Sequence, residues 1–103
     1  MTTEKKTTGC KYTEILKLKN MLDEKEIPYD WESGVFGGYA LKYPSSRKMI
    51  FSVIQHDFSY GNDKNLLEIG HRRLNGGMEV EGYLTAEEVF EIIENEIARR
   101  TDW

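Results

Sequence analysis

Cysteine is nearly missing from this chain of 103 residues: Cys10 is the only one. An internal disulfide is therefore excluded, and the usage fits a reducing cytoplasm. Long apolar runs are also lacking. No stretch approaches the roughly 18 residues of a membrane span. The opening "MTTEKKTTG" carries positive charge with no apolar segment behind it, so no signal peptide is expected. No HExxH, CxxC or HxH spacing marks a metal site, and neither GxxxxGKS nor GxGxxG marks a phosphate loop. No internal repeat or low-complexity segment appears, and no cofactor is implied.

What is present suits one compact domain. Hydrophobic residues make up 39% and aromatics 12%, enough for a single core, while 31% charged residues give a well-solvated surface. The net charge of −4 is unevenly spread. Residues 42–73 carry a local balance of +3 and residues 74–103 a balance of −6. Repulsion from phosphates argues against general duplex DNA binding, whereas the positive middle admits a small anionic ligand. The acidic end suits a basic partner, or simply a solvated helix face.

Residues 1–8 are polar and are expected to fray, leaving a single α+β domain over residues 9–103. From about Cys10 to Glu26, Tyr12, Ile15, Leu16, Leu18 and Leu22 recur at helical spacing, and Pro28 stops the helix. Strand grammar follows. "YDWE" and "YALKY" alternate around a turn at Gly37-Gly38, with Tyr39, Leu41 and Tyr43 on one face. "KMIFSVIQHDF" is apolar on both faces up to Ile54 and reads as a central strand. "GNDKN" closes a hairpin to "LLEIGHRRL", and "EVEGYL" reads as a short edge strand.

A final helix opens with Thr85 and Glu88 as a capping box and Leu84 and Val89 as a hydrophobic staple. Ala86, Val89, Phe90, Ile93 and Ile97 form its apolar stripe. The expected architecture is helix, a four- to five-stranded antiparallel meander, and helix, with both helices on one face. The other face is then expected to expose aromatics.

Candidate chemistry gathers around "HDFSYGND". His56, Asp57 and His71 are the candidates for an acid–base hydrolase or nuclease, with or without a metal. Alternation places His56 and Asp57 on opposite faces, so a structural role at the strand end competes with this. A binding reading rests on Tyr39, Tyr43, Ser59, Tyr60, Arg72 and Arg73, since guanidinium groups and glycine-flanked N–H groups suit phosphate and tyrosines suit a stacked base. Cys10, near the first helical turn, reads as an inert thiol.

"EKEIPYDWE", "FSVIQHDFSYGNDKNLLEIG" and "EGYLTAEEVFEIIE" together resemble a group of small uncharacterised proteins of tailed phages and prophages of Firmicutes. The "GHRRLNGG" stretch departs from that pattern. The resemblance implies a phage accessory protein acting in the cytoplasm of an infected host cell. On that footing the expected function is non-enzymatic: binding a host protein or nucleotide-like signal to counter host defence or regulation. A homo-oligomer closing over a ligand and a phage assembly component are the further options.

Overall fold

The computed structural model describes residues 12–57, 59, 61–72 and 77–101. Its elements are α1 (Thr13–Glu24), β1 (Asp30–Val35), β2 (Gly38–Tyr43), β3 (Phe51–Gln55), a 3-10 turn (Asn62–Lys64), β4 (Leu67–Arg72), β5 (Met78–Leu84) and α2 (Ala86–Thr101). Each strand pairs antiparallel with the next, giving one meander sheet in the order β1-β2-β3-β4-β5. The expected α+β architecture is the one observed, with β3 at the centre and β5 at an edge. Among the described residues no helix is long and apolar enough to cross a membrane.

The helices form where apolar spacing and caps agree. Ile15, Leu18 and Leu22 of α1 are fully buried, one face at intervals of three and four. α1 ends at Glu24, two residues before the expected boundary at Glu26. Glu26 takes a left-handed conformation (φ 57°), its N–H donates to the Asp23 carbonyl at 3.1 Å, and that of Ile27 to the Leu22 carbonyl at 3.0 Å. This is a Schellman closure with glutamate where glycine is usual. It ends the helix before Pro28 acts.

The capping box of α2 forms as the sequence dictates. The Thr85 N–H donates to Glu88 Oε1 at 2.8 Å, and the Glu88 N–H donates to Thr85 Oγ1 at 3.1 Å. α1 contributes a further cap, because Glu14 Oε1 accepts the Ala86 N–H at 2.7 Å. Lys17 reaches Glu87 at 3.1 Å. The two helix N-termini thus lie together, with α1 over β2 and β3 and α2 over β4. Late in α2, Glu96 is buried and meets Arg99 Nη2 at 2.9 Å, the guanidinium reaching in from solvent.

The core fills one side of the sheet. Cross-strand rows Leu41–Val53–Ile69 and Tyr43–Phe51–His71 face the helices. Leu41, Val53 and Ile69 join Ile15, Leu18, Leu22, Leu67, Leu84, Ala86, Val89 and Ile93 in one buried cluster. Removing each of the leucine, isoleucine and valine side chains from water is worth about 1.5–3 kcal/mol.

Three expectations are corrected. The β1–β2 hairpin turns on Phe36-Gly37 (φ 46° and 83°), not on Gly37-Gly38. These two left-handed residues make the tight turn that matches strand twist, while Gly38 opens β2. A Cβ on Gly38 would stand 2.1 Å from the Gln55 carbonyl oxygen, so that position needs glycine for close approach. β3 is shorter than "KMIFSVIQHDF", starting at Phe51 and ending at Gln55. The open face, finally, is not aromatic. Trp31 lies opposite Leu41 and shares its side of the sheet with Tyr39 and Tyr43, toward the helices. The far side carries Asp30, Glu32, Lys42, Ser52 and Glu68 by alternation. Leu41 lies in the tyrosine row, and its burial pulls the whole row inward.

Candidate functional site

The end of β3 and the connection to β4 form a structural junction. Gln55 is fully buried, yet its amide is satisfied. Its Oε1 accepts the Ile15 N–H at 3.1 Å, and its Nε2 donates to Asn65 Oδ1 at 2.8 Å. Asn65, left-handed at φ 58°, also accepts the Thr13 N–H at 3.1 Å and donates to the Thr13 hydroxyl. Orphan donors at the start of α1 are thereby satisfied from the β3–β4 connection. The sequence reading passed over Gln55. Its position in the Phe51–Val53 row was the available clue that it points inward.

The candidate catalytic residues are divided between this junction and the opposite end of the sheet. The His56 N–H donates to Ser59 Oγ at 3.0 Å, and Ser59 Oγ donates to the His56 carbonyl at 2.9 Å. The His56 ring lies 5.1 Å from Phe36, and Asp57 accepts a hydrogen bond from the Tyr12 hydroxyl. His71 instead pairs across from Phe51, its ring 4.9 Å away. Five strand positions separate Phe51 from His56, about 16 Å at strand rise. His56 and His71 therefore share no site. Among the described residues no three His, Cys, Asp or Glu side chains gather to hold a metal.

Three residues of the expected ligand surface are wholly or partly covered. Tyr43 and Ser59 are buried, and Tyr39 is half-buried between Trp31, stacked at 5.1 Å, and Tyr12, edge-on at 5.9 Å. Gly61 (φ 103°) packs against β5, where a Cβ would stand 2.8 Å from the Tyr83 nitrogen. Its permissive backbone serves packing against β5. Arg72 ends β4. Tyr60, Arg73 and Cys10 lie outside the described residues, as do residues 1–8.

Accessible chemistry collects at β5. On the helix side of the sheet, Ile69 and His71 of β4 pair with Glu81 and Glu79 of β5. α2 covers β4, and Leu84 at the end of β5 is buried, while Glu79 and Glu81 stay exposed. The space between β4, β5 and α2 is a cleft of about 360 Å³. Phe51, Ile69 and Ile92 supply its apolar lining, with Glu79, Glu81 and His71 beside them. On the other side of β5, Met78 and Val80 are 44% and 52% exposed, and Tyr83, at a bulge with φ 61°, is 54% exposed. The Met78 methyl lies over Gly70, 3.0 Å from where a Cβ would begin. The alternation M-E-V-E was the sequence clue to this two-sided strand.

A second hollow, on β1 and β2, is self-satisfied. Lys42 Nζ meets Glu32 at 3.1 Å, and Asp30 accepts the Ser46 N–H at 2.6 Å. That backbone donor holds the Asp30 carboxyl below the usual carboxylate range. Comparison of the chain with protein-family models, with curated proteins and with solved structures finds no match.

Proposed function

We propose that this protein is a non-enzymatic phage accessory module that binds a host protein and so counters a host defence or regulatory system in the infected cytoplasm. The observation that carries the reading is the concentration of accessible apolar side chains, Met78, Val80 and Tyr83, on one edge strand beside a concave cleft. Exposed apolar surface next to polar walls is the usual character of a contact surface. The phage-like sequence pattern supplies the setting. A nucleotide signal is the less favoured occupant, because Tyr43 and Ser59 are buried and Tyr39 already stacks on Trp31. The hydrolase alternative draws no support from a His56 and His71 that stand at opposite ends of β3 and its neighbour.

Native mass spectrometry of the protein purified from infected cells tests this reading. The expected result is a host protein retained at fixed stoichiometry by the wild type and lost from Val80→Arg, with both proteins equally folded by circular dichroism. Retention of the same partner by Val80→Arg would remove β5 from the contact. Recovery of a bare monomer, or co-purification with virions alone, would overturn the binding reading.

A further inference from the structure

A left-handed backbone is costly for a residue with a bulky side chain, and glycine or asparagine usually stands where a turn needs it. Among the described residues five non-glycine positions adopt it: Tyr12, Glu26, Phe36, Asn65 and Tyr83. Three of them serve the fold. Tyr12 donates its hydroxyl to Asp57, Asn65 braces the start of α1, and Glu26 closes that helix. Phe36 and Tyr83 differ. At 63% and 54% they are the two most exposed large apolar side chains among the described residues, Phe36 even with the His56 ring 5.1 Å away.

At both positions the backbone, not the ring, meets the demand of the fold. The Phe36 carbonyl accepts the Asp57 N–H at 3.2 Å, and Gly61 approaches the nitrogen and Cα of Tyr83. Phe36 fills the first central place of a two-residue hairpin turn, ahead of Gly37, where Asn-Gly is the favoured pair. Gly82 and Tyr83 lie opposite Glu68 in a bulge, where glycine commonly takes the left-handed place. Asparagine at either position would ease the backbone and keep these contacts. It would remove only the exposed ring. A ring held at the surface against a conformational cost implies a use outside the chain.

The two rings lie at one end of the sheet. The β1–β2 turn adjoins the Tyr39–Gln55 pair, and Tyr83 adjoins the Leu67–Leu84 pair, next to where Ile54 meets Glu68. From that turn to β5 is three to four strand spacings, about 14–19 Å. One protein spans this distance, since a standard contact covers about 800 Å² on each side.

We infer that Phe36 and Tyr83 are paired aromatic anchors, each inserting its ring into an apolar hollow on the surface of the same host protein. This deepens the proposed function and rests on it. Tyr83 already belongs to the β5 surface, and Phe36 carries the contact across the end of the sheet. The partner that fits is a protein with two apolar hollows about 14–19 Å apart. A few side chains seated in pockets carry most of the energy of a protein contact, aromatic ones prominent among them. Single-stranded nucleic acid also stacks on such rings, but it needs a basic groove beside them. The exposed Asp57 next to the Phe36 turn and the net charge of −4 oppose phosphate there.

The first readout needs no partner. Phe36→Asn should raise the midpoint of urea unfolding above wild type, because asparagine before Gly37 suits the turn. For the second, p-benzoylphenylalanine replaces Phe36, Tyr83 or, as control, the 39% exposed Leu16, and infected cells are irradiated. Positions 36 and 83 should crosslink to two apolar hollows of one host protein, mapped by peptide mass spectrometry, and position 16 should not. With that protein purified, Phe36→Asn and Tyr83→Asn should each weaken binding about tenfold or more.

A lower urea midpoint for Phe36→Asn would make the ring a structural prop and overturn the inference. So would crosslinks from positions 36 and 83 to different proteins, or undiminished partner binding by Phe36→Asn. Binding of a single-stranded oligonucleotide by wild type, lost in Phe36→Asn, would reassign the rings to base stacking, again against the inference. Where Phe36→Asn keeps the partner and Val80→Arg loses it, the proposed function stands without the inference. Where wild type retains no host protein, the proposed function falls and the inference with it.

Discussion

The sheet has two edges, β1 and β5, and they solve the same exposure problem in opposite ways. β1 is turned in on its own molecule. Trp31 stacks on Tyr39 with Lys19 Nζ 5.7 Å from its ring, Glu32 pairs with Lys42, and Asp30 holds the Ser46 N–H. A register shift between Ser33 and Val35 breaks the regularity of its ladder. β5 keeps Met78, Val80 and Tyr83 at the surface and sets Glu79 and Glu81 over a cleft. The difference teaches that one edge covers its aromatic surface within the fold while the other keeps apolar side chains at the surface. Substitutions in the β1 strand should therefore cost stability, and substitutions on β5 should cost binding.

The largest expected effect is on the β1–β2 hairpin. Gly38→Ala would drive a methyl into the Gln55 carbonyl and the His56 backbone, and should destabilise by more than about 3 kcal/mol or prevent folding. Urea denaturation measures it, and a change below about 1 kcal/mol would mean β2 and β3 are not so closely apposed there.

Next comes a paired contrast. Trp31→Ala should destabilise by about 2 kcal/mol, through the lost stack and the buried part of the indole. Val80→Ser should stay within about 0.5 kcal/mol of wild type yet abolish partner retention. Equal losses of stability at the two sites would erase the distinction between the edges.

The smallest effect concerns pH. The Asp30 carboxyl is held low first by the Ser46 backbone N–H, so its folded-state value lies below its unfolded one. Its contribution to stability is fully present above the unfolded value of about 3.9 and is lost as pH falls through the folded value. A titration followed by nuclear magnetic resonance should place the Asp30 midpoint below the usual range, and a midpoint at or above it would show that the β1 contact does not form in solution.

How far the sequence foretold this can be judged residue by residue. Helix boundaries governed by local chemistry were legible: Thr85 and Glu88 cap α2 as their spacing requires. The meander was legible too, because alternation and turn residues act over a few positions. Which sheet face meets the helices was not, since alternation gives Tyr39 and Tyr43 the same side without saying which side that is. The choice is made by Leu41 between them, through tertiary burial. The end of α1 was missed because an unusual left-handed Glu26 overrides the proline rule. Next to the His56–Asp57 candidates, the brace that Gln55 and Asn65 give the start of α1 was not legible, because its members come from β3 and the β3–β4 connection. The cleft was invisible because its walls come from β3, β4, β5 and α2.

Residue-resolved amide hydrogen exchange tests the contrast between the edges most directly. In the free protein, alternate amides of β5, those facing away from β4, should exchange rapidly, and the retained host partner should slow exchange at β5 while leaving β1 unchanged. Protection of those β5 amides in the free monomer, or slowing confined to β1 when the partner is bound, would contradict the account.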